Sequence, residues 1–171
     1  CGGGAAELAA SPGEWSGDLG ATAPARAPRR GGQAVRPTAL VSGALARVPG
    51  NGGLAWFYLQ LLLGLRRLGW GVLFLDRVEA AQCVDDAGRV VAPRDSVNAR
   101  WVGGVMRRFG LADAWSLDVD GSETFGAPRD NVVRVAANAE LLLNVVGYTC
   151  DFEVLGRVRL RVFVDIDPGF P

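Results

Sequence analysis

Apolar residues fall along this chain in short blocks separated by glycine- and proline-rich breaks, and the spacing within the blocks switches between a strand-like and a helix-like period. Residues 38–43 are a short apolar run ending in small residues, as a buried strand requires. Residues 45–53 are broken by Pro49, Gly50, Asn51, Gly52 and Gly53 and predict a loop. From 54 to 68, Leu54, Phe57, Leu61, Leu65 and Leu68 recur at intervals of three or four, which predicts a helix with these residues turned to the core. Arg66 and Arg67 fall where positive charge suits the end of a helix, and Gly69 is placed to stop it. Residues 71–76 predict a second strand, ending at Asp76.

Further along, 83–95 reads as loop with a small hairpin near residues 85–88. Residues 96–109 predict a helix closed by Gly110, 114–119 a strand, 129–139 a helix, and 141–146 a buried strand closed by Gly147. The last strand covers 160–166, ended by Asp167, Pro168 and Gly169. Strands alternating with helices specify an α/β domain: a Rossmann-like open parallel sheet with helices on both faces. The expected order of about five strands resembles 3-2-1-4-5. Residues 1–36 carry no apolar period and are rich in Gly, Ala, Pro and Arg, so they are expected to be a disordered linker or tail making few contacts with a domain over 37–171.

Composition narrows the chemistry. Eighteen basic and 18 acidic residues cancel, so no net field recruits nucleic acid or an anionic membrane. Every basic residue is arginine. The absence of His removes a Ser-His-Asp triad, a His metal site and a His base from this chain. Cys1, Cys83 and Cys150 are too far apart for a C-x-x-C pair, and a reducing, cytoplasmic setting is expected. No apolar stretch is long enough for a membrane span. The start at Cys1 and the stop just after an apolar strand read as the ends of a fragment, although Cys1 followed by three glycines also suits a lipoprotein terminus.

Three features could carry function. The loop at Asn51, Gly52 and Gly53 precedes a helix, where backbone amides can approach a phosphate or a sugar hydroxyl; it fits neither the Walker pattern nor G-x-G-x-x-G, and a plain connection has the same signature. Asp76 ends a strand where nucleotide-binding units place a ribose-binding acid, though aspartate there is also a common turn residue. Asp165 and Asp167 share one side of an extended strand at the carboxyl edge, but turn duty before Pro168 explains them as well, and no metal site is expected. Trp56 and Tyr58 are able to stack on sugar rings, while aromatics at this spacing belong more often to a core.

Taken together, the segments Gly52 to Trp56, Leu59-Gln60 and Gly64 to Gly69 resemble the opening of a bacterial family of GT-B-fold, glycosyltransferase-like proteins. Phe74-Leu75-Asp76, Leu143 to Gly147 and Val164 to Pro168 follow in the family's order, so the similarity spans about residues 38–171. Family members often carry two His after the Ala-Trp pair; Phe57 and Tyr58 stand there in this chain. The resemblance implies a glycosyltransferase in which this chain is the amino-terminal, acceptor-side domain, and a second, carboxy-terminal Rossmann domain holds the nucleotide-sugar donor. No other cofactor is expected. Asn51, Gly52, Gly53 and Trp56 are the expected substrate-binding residues, and Asp76, Asp165 and Asp167 the candidates for a catalytic base. A nicotinamide-dependent oxidoreductase and a non-enzymatic binding module or lipoprotein are the alternatives. Without its partner domain the 171-residue chain is expected to transfer no sugar.

Overall fold

The computed structural model describes residues 36–149 and 151–166. The expectations for residues 1–35, Cys150 and Asp167 therefore lie outside the described residues. In chain order the elements are β1 (Thr38–Gly43), α1 (Gly52–Arg67), β2 (Gly71–Val78), α2 (Val97–Arg108), β3 (Trp115–Val119), β4 (Glu123–Gly126), α3 (Arg129–Asn138), β5 (Leu141–Val145), α4 (Phe152–Arg157) and β6 (Leu160–Val164). They form one sheet in the order β4-β3-β2-β1-β5-β6. All neighbours are parallel except the β3–β4 pair, so the five parallel strands run in the expected 3-2-1-4-5 sense with β4 added at one edge.

Alternation along the strands divides the core in two. Val41, Phe74 and Leu117 face α1 and α2, where they meet Tyr58, Leu59, Leu62 and Met106. Leu40, Leu73 and Leu142 face the other way, against Val132 and Ala136 of α3 and Val154 of α4. The sheet is thus covered on both faces, which is why its central strands read as unbroken apolar runs.

The helix over 54–68 is present but begins two residues earlier, with Asn51 as its cap, and its buried stripe is not the expected one. Ala55, Tyr58, Leu59 and Leu62 are buried, whereas Leu54, Phe57, Leu61 and Leu65 are half-buried and Leu68 is 77% exposed. Twelve positions from 54 to 65 include only two that are not apolar, Gln60 and Gly64, so a period of three or four fits more than one stripe.

Two elements went unread. In the β3–β4 hairpin Asp120 and Gly121 both have positive φ, and Ser122 N–H closes the turn on the Val119 carbonyl at 3.0 Å. Aspartate followed by glycine between alternating residues is a hairpin signal, so this strand was legible. Helix α4 has only six residues, too few for a period; Asp151 starts it by accepting from the Glu153 and Val154 amides. At the far edge β6 ends at Val164 rather than 166, and Leu160 and Phe163, on opposite faces of the strand, are both more than half exposed.

Gly43 closes β1 directly beneath the Tyr58 ring, and a Cβ there would overlap two ring carbons. Gly104 on α2 is the converse, since a Cβ there meets nothing within 4 Å. Gly43→Ala is therefore expected to destabilise the domain by about 1–3 kcal/mol through overpacking, whereas Gly104→Ala is expected to add up to about 1 kcal/mol of helix stability. Urea unfolding of the two variants checks the pair; a neutral Gly43→Ala would mean that the Tyr58 ring is free to move.

Candidate functional site

In an open parallel sheet the strand ends diverge where the winding direction reverses, and ligands bind there. The reversal here lies between β1 and β5. On the α3/α4 face Ser42 Oγ donates to Asn144 Oδ1 at 2.8 Å, and Asn144 also exchanges hydrogen bonds with both backbone groups of Thr149 at 3.2 Å. Asn144 thus ties the two diverging strands and the turn after β5 together. Val146, just past β5, has φ +52°, a strained backbone for a β-branched residue.

The segment from Ala44 to Asn51 leaves β1 on the α1/α2 face and is held by side chains from three other elements. Tyr58 of α1 is fully buried, and its hydroxyl accepts the Ala44 N–H at 3.1 Å. Asp76 of β2 accepts the Ala46 N–H at 2.7 Å on one oxygen and the Arg77 N–H at 2.7 Å on the other. Asn98 of α2 donates to the Ala46 carbonyl at 2.9 Å and accepts from Val84 N–H. Burial pushes the Tyr58 hydroxyl up to about 12, so it remains a neutral group here. Burial also dominates at Asp76, pushing its carboxyl up to about 7 against the opposing pull of the backbone amides. Neither Tyr58 as an anchor nor Asn98 was read from the sequence. The contact from Asn98 to Ala46 spans 52 residues, and no local pattern encodes it.

Beyond this clamp, Gly50 takes φ +84° and Asn51 caps α1 by accepting the Leu54 N–H at 3.0 Å. No acidic side chain lies in the first turn of α1. The glycine loop opens on a groove of about 810 Å³ between α1 and α2, lined by Gly50, Gly52, Trp56, Leu59, Trp101 and Phe109 among others. Trp56 is 53% exposed at its wall, so of the two aromatics read as core only Tyr58 is one.

The expected site residues are not gathered at one place. Gly52 and Trp56 line the groove, while the Asn51 side chain is occupied as a cap. Asp76 instead borders a separate polar pocket of about 430 Å³ with Ser116, Asp118 and Thr149, beside Arg129, which is ion-paired to Asp151 and Glu153. Asp165 follows β6, three strands from β2, and the strand spacing separates the two by roughly 14 Å. The Cys83 thiol is buried, and burial pushes its pKa up, away from nucleophilic use. Among the described residues no cluster of His, Cys, Asp or Glu is arranged to hold a metal ion, and no helix is long and apolar enough to cross a membrane.

Comparison with models of known protein families and with curated proteins finds no match.

The Asp76 carboxyl has a pH signature. Its folded value of about 7 lies above the ordinary 3.8, so across that interval the folded state binds a proton that the unfolded chain has lost. Stability contributed by this group is complete below the unfolded value, falls as pH rises, and is gone above the folded value. The chain has no His, so no imidazole titrates alongside it between about pH 5 and pH 8. The unfolding free energy is expected to drop across that window, and Asp76→Asn is expected to flatten the drop. Parallel curves for wild type and variant would assign the dependence elsewhere.

Proposed function

We propose that this chain is the acceptor-side Rossmann-like domain of a nucleotide-sugar glycosyltransferase of GT-B architecture. One observation carries the reading: the immobilised β1–α1 loop opens, at the carboxyl side of the sheet, on a large groove faced by a half-exposed tryptophan. An aromatic face beside fixed backbone amides suits a sugar or a ring-bearing acceptor. The colinear motifs that resemble the GT-B family support the same reading, because Gly52 and Trp56 lie on the groove and Asn144 at the strand reversal.

In this reading the groove holds the acceptor, and a second Rossmann-like domain brings the donor diphosphate across the cleft. Rate then comes largely from positioning the two substrates. Asp76 acts as a positioning residue: both its oxygens hold backbone amides, and it borders the neighbouring pocket rather than the groove. The eight-residue, side-chain-held connection between β1 and α1 differs from the tight glycine turn of dinucleotide-binding units, which disfavours a nicotinamide-dependent oxidoreductase. A reducing cytoplasm is the compartment where such donors are expected.

The test is sugar transfer from UDP-, GDP- and TDP-sugars by the protein together with its carboxy-terminal partner domain. Gly52→Val is the informative change, since Gly52 lines the groove and a Cβ there meets no atom within 4 Å. Transfer is expected to fall by up to about 100-fold through misplacement, with circular dichroism unchanged. Undiminished transfer by the folded variant, or transfer by the 171-residue chain alone, would overturn the half-enzyme reading.

A further inference from the structure

The α1–α2 groove is chemically uneven, and the unevenness specifies an occupant. Its walls are largely apolar, from Ala55, Leu59, Val97 and Val105, and Trp56 and Phe109 stand near each other with ring centroids 6.1 Å apart. Its two acids are already matched. Asp85 pairs with Arg89 at 2.7 Å, and Asp86 pairs with Arg100 at 2.8 Å. Arg108, exposed beside Phe109, has no ion-pair partner among the described residues. The first turn of α1 at Gly52 adds backbone amides and contains no acidic side chain of its own. The groove therefore pairs an aromatic and aliphatic floor with an unmatched positive rim. Trp101, on the same wall, has a buried indole N–H with no acceptor among the described residues.

We propose that the groove binds a ring-bearing organic acid, with the ring against Trp56 and Phe109 and the acidic group toward Arg108. The inference deepens the transferase reading, in which this ligand is the acceptor, but the binding itself needs no transfer. A neutral ring would gain the apolar walls and forgo the guanidinium; a small hydrophilic anion would gain the guanidinium and leave the walls in water.

Two fluorescent probes separate these terms. Anilinonaphthalene sulfonate carries a fused ring and an anionic group, and N-phenylnaphthylamine carries the same ring system without the charge. The 171-residue chain is expected to bind the sulfonate saturably at one site, about tenfold more tightly than the neutral probe, as one charge-assisted contact provides. Arg108→Gln is expected to remove that preference and leave the neutral probe unchanged. Gly104→Leu is the steric control, since Gly104 lines the groove and a Cβ there meets nothing within 4 Å; it is expected to abolish binding of both probes while the circular dichroism spectrum stays native.

Sulfonate binding that survives Gly104→Leu would place the probe on another surface, such as the apolar β6 edge, and overturn the site. Equal affinity for the two probes, or equal weakening of both by Arg108→Gln, would overturn the acid. The two readings fail separately. Probe binding with the expected variant pattern but no sugar transfer by the two-domain protein leaves the acid site standing and removes the transferase. Transfer with no probe binding does the reverse.

Discussion

Tyr58, Asp76 and Asn98 reach the backbone of Ala44 and Ala46 from three separate elements, and the carboxyl side of the sheet takes its form from that convergence. A segment leaving a central parallel strand carries polar backbone groups into the protein, where each unpaired group costs about 1–3 kcal/mol. The sequence supplies one partner per group: a phenol, a carboxylate and an amide, each buried and anchored in its own element. Because the partners come from α1, β2 and α2, the loop takes shape only when the first half of the fold has assembled. The glycine loop that follows inherits a fixed starting point, and the groove wall inherits a fixed edge.

The same arrangement explains the unusual state of Asp76. A carboxylate accepting two backbone amides ordinarily titrates low, because those bonds favour the charged form. Here the desolvation of a buried site outweighs them. Asp76 is thereby a poor candidate for a surface ribose contact and a good one for fixing backbone at a distance from solvent. Its neighbour in the polar pocket, Asp151, escapes that conflict because it remains partly solvated beside Arg129, which holds its carboxyl below the usual range.

Much of the architecture was legible because it follows from local pattern. β1, β2 and β5 are mainly apolar runs bounded by glycine or charge, β3 alternates apolar and polar residues, and the parallel order follows from the helices between them. What escaped has physical reasons. The buried stripe of α1 was hidden by a nearly all-apolar helix, where tertiary contact rather than period selects the face. Helix α4 is too short to show a period, whereas the Asp120-Gly121 turn carries a hairpin signal in its own residues. At the site, Gly52 and Trp56 were legible from the glycine loop and the helix beside it. The separation of Asp76 from the groove, and of Asp165 from both, was not, since it depends on which strands become neighbours.

The overlap between Gly43 and the Tyr58 ring constrains how this sequence could change over generations. A residue with a side chain at position 43 is admissible only after position 58 has lost its ring, and losing the ring first strips the Ala44 amide of its partner. Either order passes through an intermediate weaker than both ends. Two ordinary-looking positions, 15 residues apart in the chain, are thus joined in a single evolutionary step, and a lineage that carries the tyrosine is held to the glycine with it.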